Sequence, residues 1–361
     1  MLHLTSIARP RPVYRFNPLE DARWNRFVSN HPRSSVFHSS AWLEALRHTY
    51  GYKPVAFTTC PPDSELRGAA LFCMVDSWLT GKRLVSLPFS DHCDLLMDEG
   101  PDLGALCAEL SEDLERQKLQ YIEFRPTCPV WAIESELKHC GAYCLHRIDL
   151  QQSIAALFKS LHKDSIQRKI RRAEREGIRY EEGRSKALLE SFSHLWVKTR
   201  RRHFAPPQPA SWFRQLIERF GNALKIRVAF KGQQPIAAIL TIQHQDVLMY
   251  KYGCSDAGFH RYGGVHLLFW RSILDAKQDG LRVFDLGRTA VSNEGLITFK
   301  DRWGATRANL YYSTLSNVNA VTRETGAEKA NWRDQLVKRI TPFLPDPAFR
   351  AVGSLLYRHF G

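Results

Sequence analysis

The feature of this sequence that most restricts its fold is an order of elements that occurs twice. Local periodicity predicts strand, turn, strand, strand, helix and strand in each half of the chain. In the first half these elements are Lys53–Thr59, Leu66–Val75, Arg83–Phe89, the helix Leu103–Leu119 and Gln120–Arg125. In the second half they are Leu224–Phe230, Pro235–Gln243, Asp246–Gly253, the helix Gly264–Gln278 and Leu281–Gly287. The repetition predicts two similar α/β modules, each a mixed, mostly antiparallel sheet flanked by helices.

The repeat also predicts how the chain divides. We expect a first domain over residues 1–160, a second over residues 161–320 and a C-terminal helical tail over residues 321–361. With 361 residues and a hydrophobic content of 44%, the chain can bury a sizeable core. We therefore expect a folded chain and not a generally disordered one.

The charge balance favours anionic partners. The chain carries 51 Lys and Arg residues against 37 Asp and Glu residues, a net charge of +14. Nucleic acid, nucleotide cofactors, phosphorylated substrates and anionic lipid headgroups all fit this charge, and the charge alone does not choose among them.

Apolar runs and cysteines give expectations about location and metal binding. The longest apolar candidate, Gly68 to Val75, has only the length of a strand, and the N-terminus lacks the apolar stretch of a signal peptide. We therefore expect a cytoplasmic protein, either free or at the inner face of the membrane. The eight cysteines form no CxxC pair. His139, Cys140 and Cys144 come closest to a metal cluster, but we expect reduced thiols and no metal site.

An arginine-rich stretch lies between the two halves. We predict one helix over residues 164–177, capped by Asp164 and ended by Gly177. Ile166, Ile170 and Ala173 form a narrow apolar stripe that would dock on a domain. The cations of the helix share another side, namely Arg168, Arg171, Arg172 and Arg175. Two interpretations stay open: an anion-binding cradle between the modules, or a solvated charged face.

Four motifs carry a resemblance to a known family. They are LVSLPFSDH, RKIRRAEREG, YKYGCSD with FDLGRT, and FKDRWGA, and they occur in the family's order between Trp24 and Tyr312. With these motifs the sequence resembles the FemAB-like branch of the GNAT superfamily, including forms found in exopolysaccharide and exosortase-associated loci.

The resemblance implies a tandem pair of GNAT-like domains that transfer an acyl or aminoacyl group to an amine. It implies acyl-CoA or aminoacyl-tRNA as an anionic donor and no permanently bound cofactor. The acceptor would be the amine of a cell-envelope precursor, such as one for peptidoglycan or exopolysaccharide, and DNA is not expected as a partner. The alternative is a non-catalytic protein that binds RNA or the envelope through degenerate acyltransferase modules.

Acyl transfer needs a group that takes the proton of the amine and groups that hold the donor. Asp285 ends a predicted strand and could orient or deprotonate an amine, while Arg288 could hold a carboxylate or phosphate. An ordinary Asp–Arg pair closing the strand is an equal alternative. By the resemblance, Phe299 and Lys300 match the family's Phe–Lys dipeptide near the donor, so Lys300 is the leading catalytic candidate and a surface lysine the alternative.

Further candidates surround these residues. Arg261, Gly263 and Gly264 open the second-half helix and could bind pyrophosphate, or form a plain tight turn. Asp91 and His92 lie on a loop that we interpret as an acceptor-binding wall, with His92 a weak candidate for proton transfer. The motif YKYGCSD adds Tyr250 as a substrate contact, and Arg125 is the first-half counterpart of the position of Asp285. The list of substrate-binding candidates is therefore Arg168, Arg171, Arg172, Arg288, Tyr250, Arg125, Asp91 and His92.

The C-terminal stretch TPFLPDPAFRAVGSLLYRHFG is basic and amphipathic. Its apolar candidates are Phe349, Val352, Leu355, Leu356 and Phe360. The pattern is compatible with packing onto the domains and with contact to a membrane surface.

Overall fold

The computed structural model describes residues 11–98, 100–130, 137–316 and 344–359. The strands are β1 Tyr14–Phe16, β2 Lys53–Thr58, β3 Ala70–Ser77, β4 Gly81–Val85, β5 Ile122–Phe124, β6 Lys138–Asp149, β7 Arg179–Gly183, β8 Leu224–Lys231, β9 Gln234–His244, β10 Val247–Ser255, β11 Val283–Ala290 and β12 Thr306–Leu315. The helices are α1 Arg23–Asn30, α2 Ser40–Tyr50, α3 Pro101–Arg116, α4 Ile154–Ser160, α5 Arg168–Arg175, α6 Lys186–Arg202, α7 Ala210–Phe220, α8 Gly264–Gln278, α9 Glu294–Asp301 and α10 Asp346–Leu356.

The two halves contain the same arrangement of strands. In the first half β1 to β4 pair antiparallel in sequence, and β4 then pairs parallel with β5 across the helix α3. In the second half β7 to β10 pair antiparallel, and β10 pairs parallel with β11 across α8. A parallel pair requires a crossover connection, which the helix supplies in each half. The predicted pair of mixed α/β modules is therefore confirmed.

The halves join into one sheet because two strands cross between them. The 12 strands follow the order β1-β2-β3-β4-β5-β12-β6-β11-β10-β9-β8-β7. Strand β12, from the end of the second half, pairs with β5 of the first. Strand β6, within the predicted first domain, pairs with β11 of the second half. The segment 138–149 thus lies in the sheet of the second half, although the predicted division of the chain falls at residue 160.

One side of the sheet carries a core that both halves share. Its largest cluster contains Trp24 and Trp42 from the first half and Trp196 and Trp212 from the second. The rings of Trp42 and Trp212 meet edge to face at 5.1 Å and join α2 to α7. On the other side each half has its own cluster, one under α3 and one under α8. The shared cluster fixes the two halves against each other on the side where the candidate site lies.

The C-terminal helix α10 packs onto the body of the protein. Phe349 is fully buried, and the guanidinium of Arg201 lies 4.8 Å above its ring. A Cβ atom added to Gly353 would lie 2.0 Å from the Pro207 carbonyl oxygen, so only glycine allows this approach. Leu355, a second predicted apolar contact, stays exposed, and Phe360 lies outside the described residues. No helix among the described ranges is both long and apolar enough to cross a bilayer.

Candidate active site

The candidate site lies where two parallel strands of the second half separate. Strands β10 and β11 pair only from Val247 to Met249 and from Val283 to Asp285. Beyond this point both strands carry a bulge, between Tyr250 and Tyr252 in β10 and between Asp285 and Arg288 in β11. Bulges redirect side chains and end regular pairing, which makes the gap between the two strands a place for functional groups.

Asp285 and His92 form a buried pair across the two halves. The Nε2 atom of His92 lies 3.3 Å from Oδ2 of Asp285, and both side chains are almost fully buried. A carboxylate only accepts hydrogen bonds, so Nε2 carries a proton, and in the neutral imidazole Nδ1 is then the atom with the lone pair. Nδ1 is buried and has no hydrogen-bond partner among the described residues. Buried polar atoms rarely lack a partner, so Nδ1 of His92 is a candidate atom for contact with a substrate.

The environment of Asp285 keeps it ionised. Burial alone would raise its pKa, but His92, the Arg147 guanidinium and the Gly287 backbone N–H together lower the pKa to about 2. The Nε atom of Arg147 donates to Asp285 over 3.1 Å, and the Gly287 N–H donates over 2.7 Å. A carboxylate with this pKa is a poor proton acceptor near neutral pH. Of the two predicted roles of Asp285, the geometry favours orienting over deprotonating.

The loop that carries Asp91 and His92 has a strained backbone. Leu87 and Phe89 have φ of 62° and 61°, in the left-handed region that such side chains rarely adopt. Arg125 holds this loop, because its guanidinium donates to the carbonyls of Leu87 over 2.7 Å and Ser90 over 3.4 Å. Strain of this kind persists where surrounding contacts over-determine it, typically at functional sites.

Arg125 therefore has partners within the protein. Besides the loop carbonyls it binds Glu123 over 2.6 Å, and it is buried. The sequence interpretation counted Arg125 as a substrate contact, whereas the structure directs its hydrogen bonds to the chain itself. We assign it as a positioning residue for the loop.

Asp91 binds a lysine from the other half. The Lys251 ammonium donates to Asp91 over 2.9 Å and lies among the rings of Phe37, Trp42 and Tyr252, at 5.1 to 5.6 Å from their centroids. Burial lowers the pKa of Lys251, and the Asp91 carboxylate opposes this shift. The bulge in β10 lets Lys251 and Tyr252, which are adjacent, both face the shared core. The Asp91 side chain therefore connects the two halves through Lys251. Its predicted role in binding an acceptor stays a prediction.

Arg288 does not form the expected strand-closing pair with Asp285. Among the described residues its nearest carboxylate is Asp91, with Nε 3.9 Å from Oδ1. Its guanidinium lies over the rings of Tyr143, at 4.8 Å, and Tyr312, at 5.2 Å. The charge is held in a defined place and remains one-third exposed.

Lys300 is buried, so the alternative of a surface lysine does not hold. Its Nζ donates to the Gly287 carbonyl over 2.7 Å and to the Arg288 carbonyl over 3.2 Å, so it holds the bulge of β11 from the helix α9. An ammonium group has three N–H donors, which leaves one for a further acceptor. Burial lowers the pKa of Lys300 to about 8, although Asp91 and Asp285 act in the opposite direction.

This shift predicts a pH dependence of stability. Between pH about 8 and 10.5 the unfolded chain keeps the proton that folded Lys300 has lost, so raising the pH favours the folded state. We expect the free energy of unfolding of the wild type to rise in this window relative to Lys300→Met, as measured by urea denaturation. The exposed Lys186→Met serves as control and should give a constant difference. A constant difference for Lys300→Met as well would contradict the burial of an ionisable amine there.

Tyr250 turns away from the shared core. Its ring packs on Phe269 at 4.7 Å, and its hydroxyl occupies the space left by the missing side chain of Gly253, whose Cβ would lie 2.0 Å away. Tyr250 thus packs in the cluster under α8. Its predicted role in substrate binding stays a prediction.

The predicted phosphate turn and the arginine-rich helix are neighbours. Gly263 has a φ of 76° and ends the 3₁₀ turn Ala257–Tyr262, immediately before α8. A Cβ atom at Gly263 would lie 2.4 Å from the Lys169 carbonyl oxygen of α5. Gly264, the first residue of α8, is buried, whereas Arg261 is exposed and donates to the Tyr262 hydroxyl over 2.8 Å. The N-terminus of α8 and the helix α5 therefore border one surface of the second half.

The arginine-rich segment differs from its prediction in two respects. It starts with a π-helical turn, Lys163–Gln167, which the His162 side chain caps, while Asp164 forms an ion pair with Arg168. The buried stripe of Ile166, Ile170 and Ala173 belongs to the cluster under α8 alone. The predicted cradle between the modules is therefore not observed, because the apolar stripe docks the helix on the second half only.

The guanidinium groups of this helix face solvent. Arg168 and Arg172 pair with Asp164 and Glu176 at 3.2 and 3.8 Å, and Arg171 lies 5.3 Å above the Phe158 ring. All three side chains are exposed. Exposed pairs of this kind contribute little to stability, so the cations stay available to a ligand.

Sequence reasoning missed several residues of the site. Lys251, Arg147, Tyr143 and Tyr312 all contact a predicted site residue, but none was named. Lys251 lies within the motif that supplied Tyr250, so the motif was a usable signal. No local signal pointed to Arg147 or Tyr143, since β6 carries no motif of the repeat.

Comparisons with known proteins agree with this arrangement. Residues 160–301 match a family model described as an acetyltransferase (GNAT) domain. The solved structure of FemX has a TM-score of 0.68 at 14% identity, over 86% of this chain and 98% of FemX. The C-terminal domain of a putative lysylphosphatidylglycerol synthetase from Agrobacterium fabrum has a TM-score of 0.55 at 14% identity, over 86% and 96%. A tandem GNAT protein from the clavulanic acid pathway has a TM-score of 0.54 at 11% identity, over 84% and 98%. No curated protein sequence matches the chain.

Residues 160–301 therefore match a GNAT acetyltransferase domain, and the fold of the whole chain is similar to that of a tandem GNAT protein. The fold is also similar to that of FemX.

Proposed function

We propose that this protein is an N-acyltransferase in which His92, oriented by Asp285, accepts the proton of an amine. The observation that carries the proposal is the buried His92–Asp285 pair beside the separated strands β10 and β11, with Nδ1 of His92 lacking a partner among the described residues. General base catalysis requires a basic atom held in one place, and the ionised Asp285 supplies the orientation.

The reaction needs no covalent enzyme intermediate. The amine nitrogen attacks the carbonyl carbon of a thioester or ester, the C–N bond forms, and the C–S or C–O bond breaks. The proton leaves the amine for Nδ1 of His92 and then passes to the departing sulfur or oxygen. The free N–H of Lys300 and the backbone of the β11 bulge, which Lys300 holds, are candidates to stabilise the oxyanion.

The donor would bind on the second half, beside α8 and α5. Acyl-CoA and aminoacyl-tRNA both carry phosphates, which suit the free N–H groups at the start of α8 and the exposed arginines of α5. Lys169 adds a cation beside His260 and His266 and lowers the pKa of both, although burial is the larger cause. This surface supports an anionic donor without choosing between the two.

We propose a cell-envelope or exopolysaccharide precursor as the source of the acceptor amine. The support is the fold shared with FemX and with the domain of a putative lysylphosphatidylglycerol synthetase.

The experiment that tests the function is a transfer assay with the purified full chain. Radiolabelled acetyl-CoA, longer acyl-CoA species and charged tRNA are each offered with a panel of amines, including amino acids, amino sugars and muropeptides. We expect label in an amide product from one class of donor, and loss of that product in His92→Gln. Transfer that persists unchanged in His92→Gln would contradict the proposed base. Mass spectrometry of small molecules that copurify with the chain gives an independent identification of the donor.

The position of the donor is tested through salt dependence. We expect Arg168→Ala with Arg172→Ala to weaken donor binding at low salt by about tenfold and much less at high salt, because the lost contacts are ionic. Donor affinity is measured by titration calorimetry at two ionic strengths. The control is Arg26→Ala with Arg214→Ala, which removes the same charge from exposed positions elsewhere. Equal losses in both double variants would assign the effect to net charge alone.

A further inference from the structure

In the described part of the chain, three close ion pairs surround the candidate site. Asp285 binds Arg147 over 3.1 Å, Asp91 binds Lys251 over 2.9 Å, and Glu123 binds Arg125 over 2.6 Å. For Arg288 the nearest carboxylate among the residues that the structure describes is 3.9 Å away. Within the described part of the chain its guanidinium donates no hydrogen bond, although five N–H groups are available.

The structure nevertheless holds Arg288 in a fixed position. Tyr143 and Tyr312 lie beneath its guanidinium, and their own rings meet at 4.6 Å. Tyr312 is itself fixed, because its hydroxyl donates to the Asp91 carbonyl over 2.8 Å. Stacking on aromatic rings keeps an arginine ordered while its edge stays free to bind an oxyanion with two parallel hydrogen bonds. Arg288 therefore has the properties of a preorganised anion-binding group.

The surroundings of Arg288 are open on one side of the central strands. In the pairing of β11 with β6, Arg288 lies opposite Leu145 and Asp285 opposite Arg147, so both arginines are on the same side of the sheet. On the neighbouring strand β12, Thr306 and Ala308 pair with Arg147 and Leu145 and are exposed. Small exposed residues leave space for a ligand above the strands.

The anion-binding group lies close to the proposed base. Nε of Arg288 lies 3.9 Å from Oδ1 of Asp91, and Asp91 directly precedes His92 on the same loop. We propose that Arg288 binds an oxyanion, either a carboxylate or a phosphate, of the same small acceptor whose amine His92 deprotonates. The acceptor is then an amine with an oxyanion only a few bonds away. This inference rests on the proposed function for the role of the amine.

Binding measurements with matched pairs of amines test the proposal without any donor. The carboxylate pair is glycine and glycinamide, and the phosphate pair is phosphoethanolamine and ethanolamine. Ligand-observed NMR on the full chain gives a dissociation constant for each. We expect the member of one pair that carries the oxyanion to bind about tenfold or more tightly than its partner without it, and the pair that responds identifies the oxyanion.

Two variants and one control assign the effect to Arg288. In Arg288→Met the preference for the ligand that carries the carboxylate or phosphate is expected to disappear. In Tyr143→Leu, which keeps the charge and removes one stacking ring, it is expected to fall to a few-fold. Arg282→Met, at an exposed arginine before β11, should keep the wild-type preference. Thermal unfolding of each variant confirms that it is folded.

The outcomes separate this inference from the proposed function. Equal binding of the members with and without the oxyanion, or a preference that persists in Arg288→Met, would overturn the role of Arg288. Preference for an anion together with a failed transfer assay would leave the binding group in place and count against acyl transfer. Acyl transfer that does not depend on an oxyanion in the acceptor would support the proposed function and count against the role of Arg288.

Discussion

Asp285→Asn is expected to lower the rate of acyl transfer by about 100- to 10,000-fold, the range in which general acid–base groups contribute. The amide cannot supply the charge that orients His92 and stabilises its protonated form during the reaction. His92→Gln should cause a loss of similar size, because it removes the basic Nδ1. The rate is measured as labelled amide product at saturating donor.

A double variant distinguishes a working pair from two structural residues. If His92 and Asp285 act as one unit, combining Asp285→Asn with His92→Gln should cost no more than either change alone. A loss in the double variant equal to the product of the two single losses would be inconsistent with a shared role. Asp246→Asn, at an exposed carboxylate paired with Arg282 over 3.5 Å, is the matched control and should leave the rate unchanged.

The same substitution has a predicted signature in stability. Because the folded pKa of Asp285 is about 2, below the ordinary value of 3.8, its ionisation stabilises the fold above pH about 4. This contribution is lost as the pH falls toward 2, where the folded carboxylate also takes up a proton. The difference in free energy of unfolding between wild type and Asp285→Asn should therefore be constant near neutral pH and shrink in acid. Breaking a buried pair costs about 3–5 kcal/mol, so the neutral-pH difference is expected in that range.

Gly263→Ala is expected to destabilise the protein by about 3 kcal/mol and to weaken donor binding. The new methyl group would have to adopt a φ of 76° and would lie 2.4 Å from the Lys169 carbonyl oxygen, so α5 has to move away from α8. Both elements border the proposed donor surface. Urea denaturation gives the stability, and titration calorimetry gives the affinity for the donor.

Gly51 provides an unusually close control. It has the same φ of 76°, but a Cβ atom there meets nothing within 4 Å. Gly51→Ala should therefore cost only the backbone strain, about 1 kcal/mol, and leave donor binding unchanged. Equal destabilisation at the two positions would rule out the close contact between Gly263 and α5 as the cause.

Local signals predicted the repeated elements well. The helix α8 has the predicted bounds of Gly264 and Gln278. Strand β9 is one residue longer than predicted at each end, and β8 is one residue longer at its C-terminal end. Apolar periodicity and turn residues depend only on neighbours along the chain, which is why a single sequence suffices for them. The buried stripe of the arginine-rich helix was predicted for the same reason. Its docking partner was not, because the stripe does not specify which core it joins.

The sequence by itself thus determined the class of fold, the order of elements in both halves and most of the residues that the site contains. Only the tertiary structure decided how they act. His92 and Asp285 are 193 positions apart, and Arg147 and Asp285 are 138 apart. Their contacts depend on β6 and β12 exchanging places between the halves, and long-range strand pairing leaves no periodic trace in the chain. For the same reason Arg125 was expected to bind substrate, whereas the fold uses its charge to hold the loop that carries His92.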